Sequence, residues 1–310
     1  LTRLKWINTP RSYFSEGITM QSHLRACWRM MAFGLSTGAA YAISVLGSGL
    51  LARWPAAARR WRLRVLRRWA SALIRLLGIR LTVSGTPPVA PFLLVANHLS
   101  YVDVLVLASQ LEGVFIAKHE VAAWPVLGWL CRHFDTIFVK REQRAEVWQI
   151  NQQIAQRLAA QTGVVFFPEG TSSPGERVLP FKPALLAAAV QGGQPVSYAA
   201  LHYQTSAPHP PAREAVCWWG EMTLLPHLYR LFQLPSFEAR LVFGSQTWQA
   251  RDRKVLALQL WQAVSQAFTL LAQLAQAPSE EPCNSIPKPR PAIPPNPRPT
   301  TPVSRRPLAH

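Results

Sequence analysis

The chain has 310 residues, 49% of them hydrophobic and 15% charged, with a formal net charge of +18 and a pI near 11. That length can bury a full core as one large domain with appendages, and the charge balance suits a polyanion, either nucleic acid or an anionic membrane surface. Cys27, Cys131, Cys217 and Cys283 lack metal or redox spacing, which argues against a disulfide or metal scaffold and reads as reduced thiols facing a cytosol.

The chain opens on Leu1, and Met20 stands just ahead of a long apolar stretch. We therefore expect Met20 to be the natural start, with residues 1–22 non-native or disordered. Met30–Ala52 carries no charge over 23 residues, enough to cross a bilayer with some tilt. Its four glycines leave a shallow or re-entrant insertion open. Eleven arginines and no acid lie between Arg25 and Arg80, so the positive-inside rule puts the downstream chain in the cytoplasm. Residues 59–77 have helical period: Arg60, Arg64, Arg67, Arg68 and Arg75 gather on one side, Trp61, Val65, Trp69, Leu73 and Leu76 on another. Opposed Arg and Trp faces suit an interfacial helix in the headgroup layer, although a core helix with a solvated basic face has the same pattern. Because the basicity adjoins apolar sequence and no recognition module follows, nucleic acid is not expected.

Downstream, strands at 79–85, 91–97, 113–119, 136–141, 163–167, 195–203 and 238–244 alternate with helices at 101–110, 125–134, 146–161, 183–191 and 255–276. This predicts an α/β fold, a mixed sheet flanked by helices on both faces and preceded by an N-terminal membrane-associated helical region. The expected organisation is 23–77 as membrane-anchoring helices, 78–276 as the catalytic domain and 277–310 as a disordered tail. The tail holds eleven prolines between positions 278 and 310, too many for helix or sheet.

Chemistry-bearing residues fall at strand ends. His98 follows the apolar run of 91–97, which puts it at a carboxyl end, where open α/β sheets bind ligands. Asp103 is the first acid after Glu16. If His98 folds back over the first turn of the next helix, Asp103 can accept from one imidazole nitrogen while the other faces a substrate. Ser100-x-x-Asp103 is also a capping-box pattern, which needs no catalysis. A second strand end, "VVFFPEGTSS" at 164–173, carries Glu169, and a third brings Lys140 and Arg141. Arginine there suits an anionic headgroup.

These residues together resemble the membrane-bound glycerolipid acyltransferases, whose best-known members are the 1-acylglycerol-3-phosphate acyltransferases. Asn97, His98 and Asp103 match the first family block, and Ile137, Phe138 and Arg141 the second. Phe167, Pro168, Glu169, Gly170 and Thr171 match the third, and Pro195 and Val196 the fourth. The likeness spans roughly residues 60–245. Members often carry Gly where Asp135 stands, an acid where Lys140 stands and Arg where Ser172 stands. "ERVLPFKPALL" (176–186) and "CWWGEMTLLPHLYRLF" (217–232) look more like a branch that includes lyso-ornithine lipid acyltransferases.

The resemblance implies a membrane-bound O-acyltransferase. It would move a fatty acyl group from acyl-CoA or acyl carrier protein to the hydroxyl of a lysolipid, foremost 1-acyl-sn-glycerol-3-phosphate, with lyso-ornithine lipid as the alternative. It implies His98 and Asp103 as the catalytic pair, and Arg141, Glu169, Gly170 and Thr171 as the acceptor site. No metal or bound cofactor is called for. Two other readings make different demands. A hydrolase would want a nucleophile elbow, and no G-x-S-x-G occurs. A non-catalytic basic protein binding membrane or nucleic acid would not need His98 at all.

Overall fold

The computed structural model describes residues 19–124, 126–139 and 144–276. Contacts divide the chain at Gln276, and the unit that follows, 277–310, lies outside the described residues, as does the expected non-native segment up to residue 18.

Two helices open the described chain, α1 (Met20–Leu50) and α2 (Pro55–Leu76). The sheet and its connections follow in the order β1 (Ile79–Ser84), β2 (Leu93–Ala96), α3 (Val102–Gln110) and β3 (Gly113–Lys118). Then come α4 (Leu127–His133), β4 (Ile137–Val139), α5 (Arg144–Ala159) and β5 (Gly163–Phe166). The last elements are α6 (Ala187–Gln191), β6 (Val196–Gln204), α7 (Ala212–Ala215), α8 (Leu224–Gln233), β7 (Phe237–Phe243) and α9 (Arg253–Gln276). Short 3-10 turns at His119–Ala123 and Pro183–Leu186 precede α4 and α6.

Among the described residues seven strands form one sheet in the order β1-β7-β6-β2-β5-β3-β4. From β6 to β4 every neighbouring pair is parallel, β7 runs antiparallel to β6, and β1 lies parallel to β7. The expected mixed α/β sheet with flanking helices is present. β2 and β5 are buried along their whole length, as uninterrupted apolar runs at a sheet centre must be. Because these two strands are parallel neighbours, their carboxyl ends open on the same edge. The turns that carry His98 and Glu169 therefore start side by side.

The N-terminal region differs from expectation in two ways. First, the apolar segment is one 31-residue helix, about 46 Å long, reaching back past Arg25 and Arg29. Thr19 caps it, its hydroxyl accepting from the Ser22 N–H at 3.2 Å. The stripe buried against the rest of the protein is small or polar: Ser22, Ala26, Arg29, Thr37 and Ser44. Leu24, Trp28, Met31, Leu35, Leu46 and Leu50 are exposed instead. Second, α2 turns its apolar side inward, burying Leu63, Val65, Leu73 and Ile74, and packs on α1 and α3. Its five expected surface arginines are exposed. The basic face is as anticipated, but the apolar face is occupied by protein, so α2 is a core helix and the exposed apolar surface belongs to α1. The boundary expected at 77/78 is a change of secondary structure, since α2 packs across it.

Arg25 and Arg29 fix α1 to α8. Arg25 donates to the Gln233 carbonyl at 2.7 Å. Arg29 donates to the carbonyls of Phe232, at 3.2 Å, Leu234 and Pro235, at 3.0 Å. The last carbonyls of a helix have no partner within it, and two guanidinium groups supply one here. α9 is long and apolar enough to cross a membrane by length and composition, as is α1. However, α9 buries Leu256, Leu260, Val264, Phe268 and Leu271 in the core against β6.

Candidate active site

The backbone of the loop after β2 is held by side chains and by neighbouring segments. Asn97, 1% exposed, donates through Nδ2 to the Leu201 carbonyl at 2.9 Å and accepts the Leu201 N–H on Oδ1 at 2.8 Å. An amide side chain offers a donor and an acceptor at once, so it continues the β2–β6 ladder one residue past the strand. The His98 carbonyl accepts from Ser173 N–H at 3.0 Å and the Leu99 carbonyl from Trp218 N–H at 2.9 Å.

Asp103 is fully buried and receives four donors. On Oδ2 it accepts from His98 Nδ1 at 2.8 Å, Leu99 N–H at 2.7 Å and Ser100 N–H at 2.9 Å. On Oδ1 it accepts from the Tyr203 hydroxyl at 2.7 Å. A carboxylate has about four lone-pair positions; here three donors converge on Oδ2 and one on Oδ1. Burial, the Asp103 charge and this hydrogen bond hold the Tyr203 hydroxyl well above its ordinary value, so it stays a donor. The capping reading and the His–Asp reading of this segment are thus both realised by one side chain. Ser100 differs from expectation: its hydroxyl has no partner among the described residues, and the helix turn is capped backwards from Asp103.

With Asp103 an acceptor, the proton of a neutral imidazole sits on Nδ1 and the lone pair on Nε2. The His98 ring stacks on Phe167, centroids 4.1 Å apart and planes 12° from parallel, and its side chain remains 22% exposed. An imidazole so oriented can take a proton at Nε2, while the carboxylate behind it stabilises the cation that results.

Glu169 meets the His98 loop from β5. Its Oε1 accepts from His98 N–H at 2.8 Å and its Oε2 from Leu179 N–H at 2.9 Å. Burial pushes this carboxyl up to about 8, against the pull of those two donors, with the Asp103 charge adding to the rise. The side chain is 2% exposed. Both oxygens are turned inward, bracing the histidine loop. Gly170, at φ +82°, supplies the left-handed turn that points Glu169 inward, and Thr171 is exposed beyond it. Lys140 and Arg141 lie outside the described residues. The described part of β4 ends at Val139, on a strand parallel to β3 and next to it in the sheet.

Sequence reasoning did not single out Tyr203, which anchors Asp103 from β6, or the Phe167 platform. Phe167 lies in the third family block and could have been found by its position. Tyr203 is 100 residues from its partner, and no local pattern points to it. Among the described residues no group of three or more His, Cys, Asp or Glu side chains is placed to hold a metal ion.

Residues 80–200 match the family model described as Acyltransferase. The chain is 36% identical over 210 residues to the lyso-ornithine lipid O-acyltransferase of Brucella abortus, covering 64% of this chain and 79% of that protein. It is 35% identical to the lyso-ornithine lipid O-acyltransferase of Pseudomonas aeruginosa, covering 67% and 79%. With the 1-acyl-sn-glycerol-3-phosphate acyltransferase of Neisseria meningitidis serogroup B it shares 32% identity, over 54% of this chain and 65% of that one. The fold is shared with the crystal structure of the 1-acyl-sn-glycerophosphate (LPA) acyltransferase PlsC from Thermotoga maritima, at a TM-score of 0.58 and 21% identity. That likeness covers 79% of this chain and 98% of that one. With a strand-end histidine braced by two buried acidic side chains and these relatives, the chain belongs to the acyltransferase family, as an O-acyltransferase of the lysolipid kind.

Proposed function

We propose that this protein passes a fatty acyl group from a thioester donor, acyl-CoA or acyl carrier protein, to the free hydroxyl of a lysolipid, with His98 as general base. Nε2 takes the hydroxyl proton as the oxygen attacks the thioester carbonyl. Collapse of the tetrahedral intermediate forms the ester and expels the thiolate, which recovers the proton from the imidazolium as free thiol. Asp103 fixes the tautomer and offsets the positive charge. Glu169 holds the loop, and the resemblance assigns acceptor contacts to Arg141, Gly170 and Thr171. A thioester is already activated, so one positioned base, worth roughly 10²–10⁴-fold, is a sufficient share for the protein. The observation that carries this reading is the 2.8 Å contact from His98 Nδ1 to a fully buried Asp103, with Nε2 left for a ligand.

The acceptor we favour is lyso-ornithine lipid. The Brucella and Pseudomonas relatives support it, each matched over 79% of its length, and so does Ser172 where a phosphate-binding Arg is common in the wider family. The second reading, 1-acyl-sn-glycerol-3-phosphate giving phosphatidate, has the Neisseria relative in its favour. Either acceptor carries a long chain and sits in a bilayer. The exposed apolar face of α1 suits seating in the leaflet, and the arginine-rich stretch after it suits the cytoplasmic side of the inner membrane.

The test is purified protein with labelled acyl-CoA or acyl carrier protein, offered both lysolipids side by side and read by product mass. Acylated ornithine lipid as main product is expected, and His98→Ala should remove it while leaving the protein folded. Thioester cleavage with no acylated lipid would replace this reading with a hydrolase. Full activity in His98→Ala would remove the histidine from the mechanism.

A further inference from the structure

At the end of the sheet opposite the His98 loop, three arginines gather on one acid. Asp135 sits in the turn between α4 and β4 at φ +61°, a backbone region that Asp tolerates better than most residues. Arg62 Nη2 lies 2.6 Å from its Oδ2. Arg59, also from the first turns of α2, comes no closer than 3.9 Å, and Arg157, from the last turn of α5, stops at 4.0 Å. One of the three is hydrogen-bonded and two are held near the carboxylate without bonding it. The Nε atoms of all three are buried with no hydrogen-bond partner among the described residues.

Three guanidinium groups around one carboxylate leave two positive charges uncompensated among the described residues in a partly buried place, side-chain exposures being 20–28%. Unpaired donors and charge at such depth are costly. A cluster serving only as an ion pair would have no use for the second and third arginine. The place is also specific. His133, two residues before Asp135, accepts or donates at 2.8 Å to Ser44 of α1, and Tyr41 of α1 packs on Trp129 of α4. Nearby α1 exposes Ile43, Leu46 and Leu50, and α4 with its preceding residue exposes Val126, Leu127 and Trp129. A basic cluster with outward-facing apolar side chains on the neighbouring helices matches a lipid, its headgroup on the arginines and its chains along the apolar side chains.

We infer that Arg59, Arg62 and Arg157 form a phosphate site that takes the phosphomonoester headgroup of a membrane lipid. Two uncompensated charges match a phosphomonoester dianion better than the single charge of a phosphodiester, and guanidinium forks suit phosphate oxygens. The site is separate from the His98 cleft. It deepens the membrane-seated reading, and its test reads lipid binding rather than acyl transfer, so the two can fail separately.

The experiment measures binding of the full chain to phosphatidylcholine vesicles doped with phosphatidate or with phosphatidylglycerol at matched surface charge. Wild type should prefer phosphatidate by about tenfold, the scale of one charge-assisted contact, and Arg59→Gln with Arg157→Gln should erase the preference. Arg68→Gln with Arg75→Gln, the same charge change on the exposed face of α2, should weaken both vesicle types alike, by roughly fivefold per arginine. Asp135→Asn, which removes the competing carboxylate, should strengthen phosphatidate binding. A preference that survives the Arg59/Arg157 change, with only the thermal midpoint lowered, would make the cluster a structural ion pair and end the proposal. Inorganic phosphate raising the wild-type midpoint without vesicles, and cancelling the preference when added to them, would assign the site to soluble phosphate instead of lipid. Failure of the wild type to bind any vesicle would overturn both this site and the membrane-seated reading, leaving the chemistry at His98 untouched.

Discussion

The loop at 97–103 and helix α1 solve opposite problems. In the loop nearly every polar group faces inward and has a partner: Asn97 on Leu201, Asp103 on four donors, Glu169 on two N–H groups. What the loop leaves at its surface is the far side of the imidazole; the Ser100 hydroxyl also lacks a partner among the described residues, but it is buried. In α1 past its first turn several polar residues also face inward, Arg29 onto backbone carbonyls and Ser44 onto His133, and the large side chains left outside are Leu, Ile, Val, Met and Trp. Both regions spend their polar contacts on internal order, and the surface each presents is what is left over. In the loop that remainder is one nitrogen lone pair; in the helix it is an apolar stripe. Chemistry needs the first to be rigid, whereas membrane seating needs the second only to be continuous.

Substitutions that break the loop should therefore act on rate, and those on the helix on partition. The largest effect is expected for Asp103→Asn. The four donors converge on a group that would now present an N–H₂ of its own, and Nδ1 loses its acceptor. Acyl transfer should fall roughly 10²–10⁴-fold. Tyr203→Phe is gentler, leaving Oδ1 without its donor, at about 1–3 kcal/mol for a buried group so exposed. As a positioning residue it should lower kcat several-fold with KM for the donor unchanged; a change in KM alone would argue that Tyr203 touches substrate. On α1, Leu35→Ser with Leu46→Ser should weaken vesicle partition by about 10–100-fold, taking roughly 1.5–3 kcal/mol for each side chain buried in lipid as the ceiling. These positions are 68% and 69% exposed, so the thermal midpoint in solution should hardly move. A large drop in that midpoint would mean that the stripe is covered by protein.

The same contrast explains what the sequence could reveal. Strands β2 and β5 are unbroken apolar runs between turn residues, so their positions were legible, and with them the strand-end placement of His98 and Glu169. Helix α8 was missed because Pro226 interrupts "LLPHLYRLF", although proline is tolerated in a first helical turn. The length of α1 was missed because Arg25 and Arg29 look like the end of an apolar segment, and their carbonyl partners lie more than 200 residues away. The basic face of α2 is exposed as its periodicity implies, but of the expected apolar face only Val65 and Leu73 are buried, because which side met protein depended on α3. Tyr203 was missed for the same reason as the α1 clamp: its meaning resides in a partner that only the fold brings near. What local patterns reported was periodicity and strand ends; what they lost was every long-range polar contact.

The smallest effect tests the bracing role of Glu169 through pH. Burial sets its carboxyl near 8 in the folded chain against an ordinary 4.5, so the folded state keeps a proton that the unfolded state has released. The sign follows from linkage: stability contributed by this group is fully present below about pH 4.5, declines as pH rises, and is gone above about pH 8. The slope is at most about 1.4 kcal/mol per pH unit. His202 and His227, whose folded values burial depresses, oppose it, since they stabilise with rising pH over the lower part of the range. The difference between wild type and Glu169→Gln isolates the one carboxyl. Thermal midpoints across this window should fall with pH more steeply in wild type than in the variant. The variant should also be less stable at the acid end, because its amide N–H₂ must confront either His98 N–H or Leu179 N–H. Parallel curves would place the proton elsewhere and leave Glu169 an ionised brace, a carboxylate stabilised by its two backbone donors at every pH in the window.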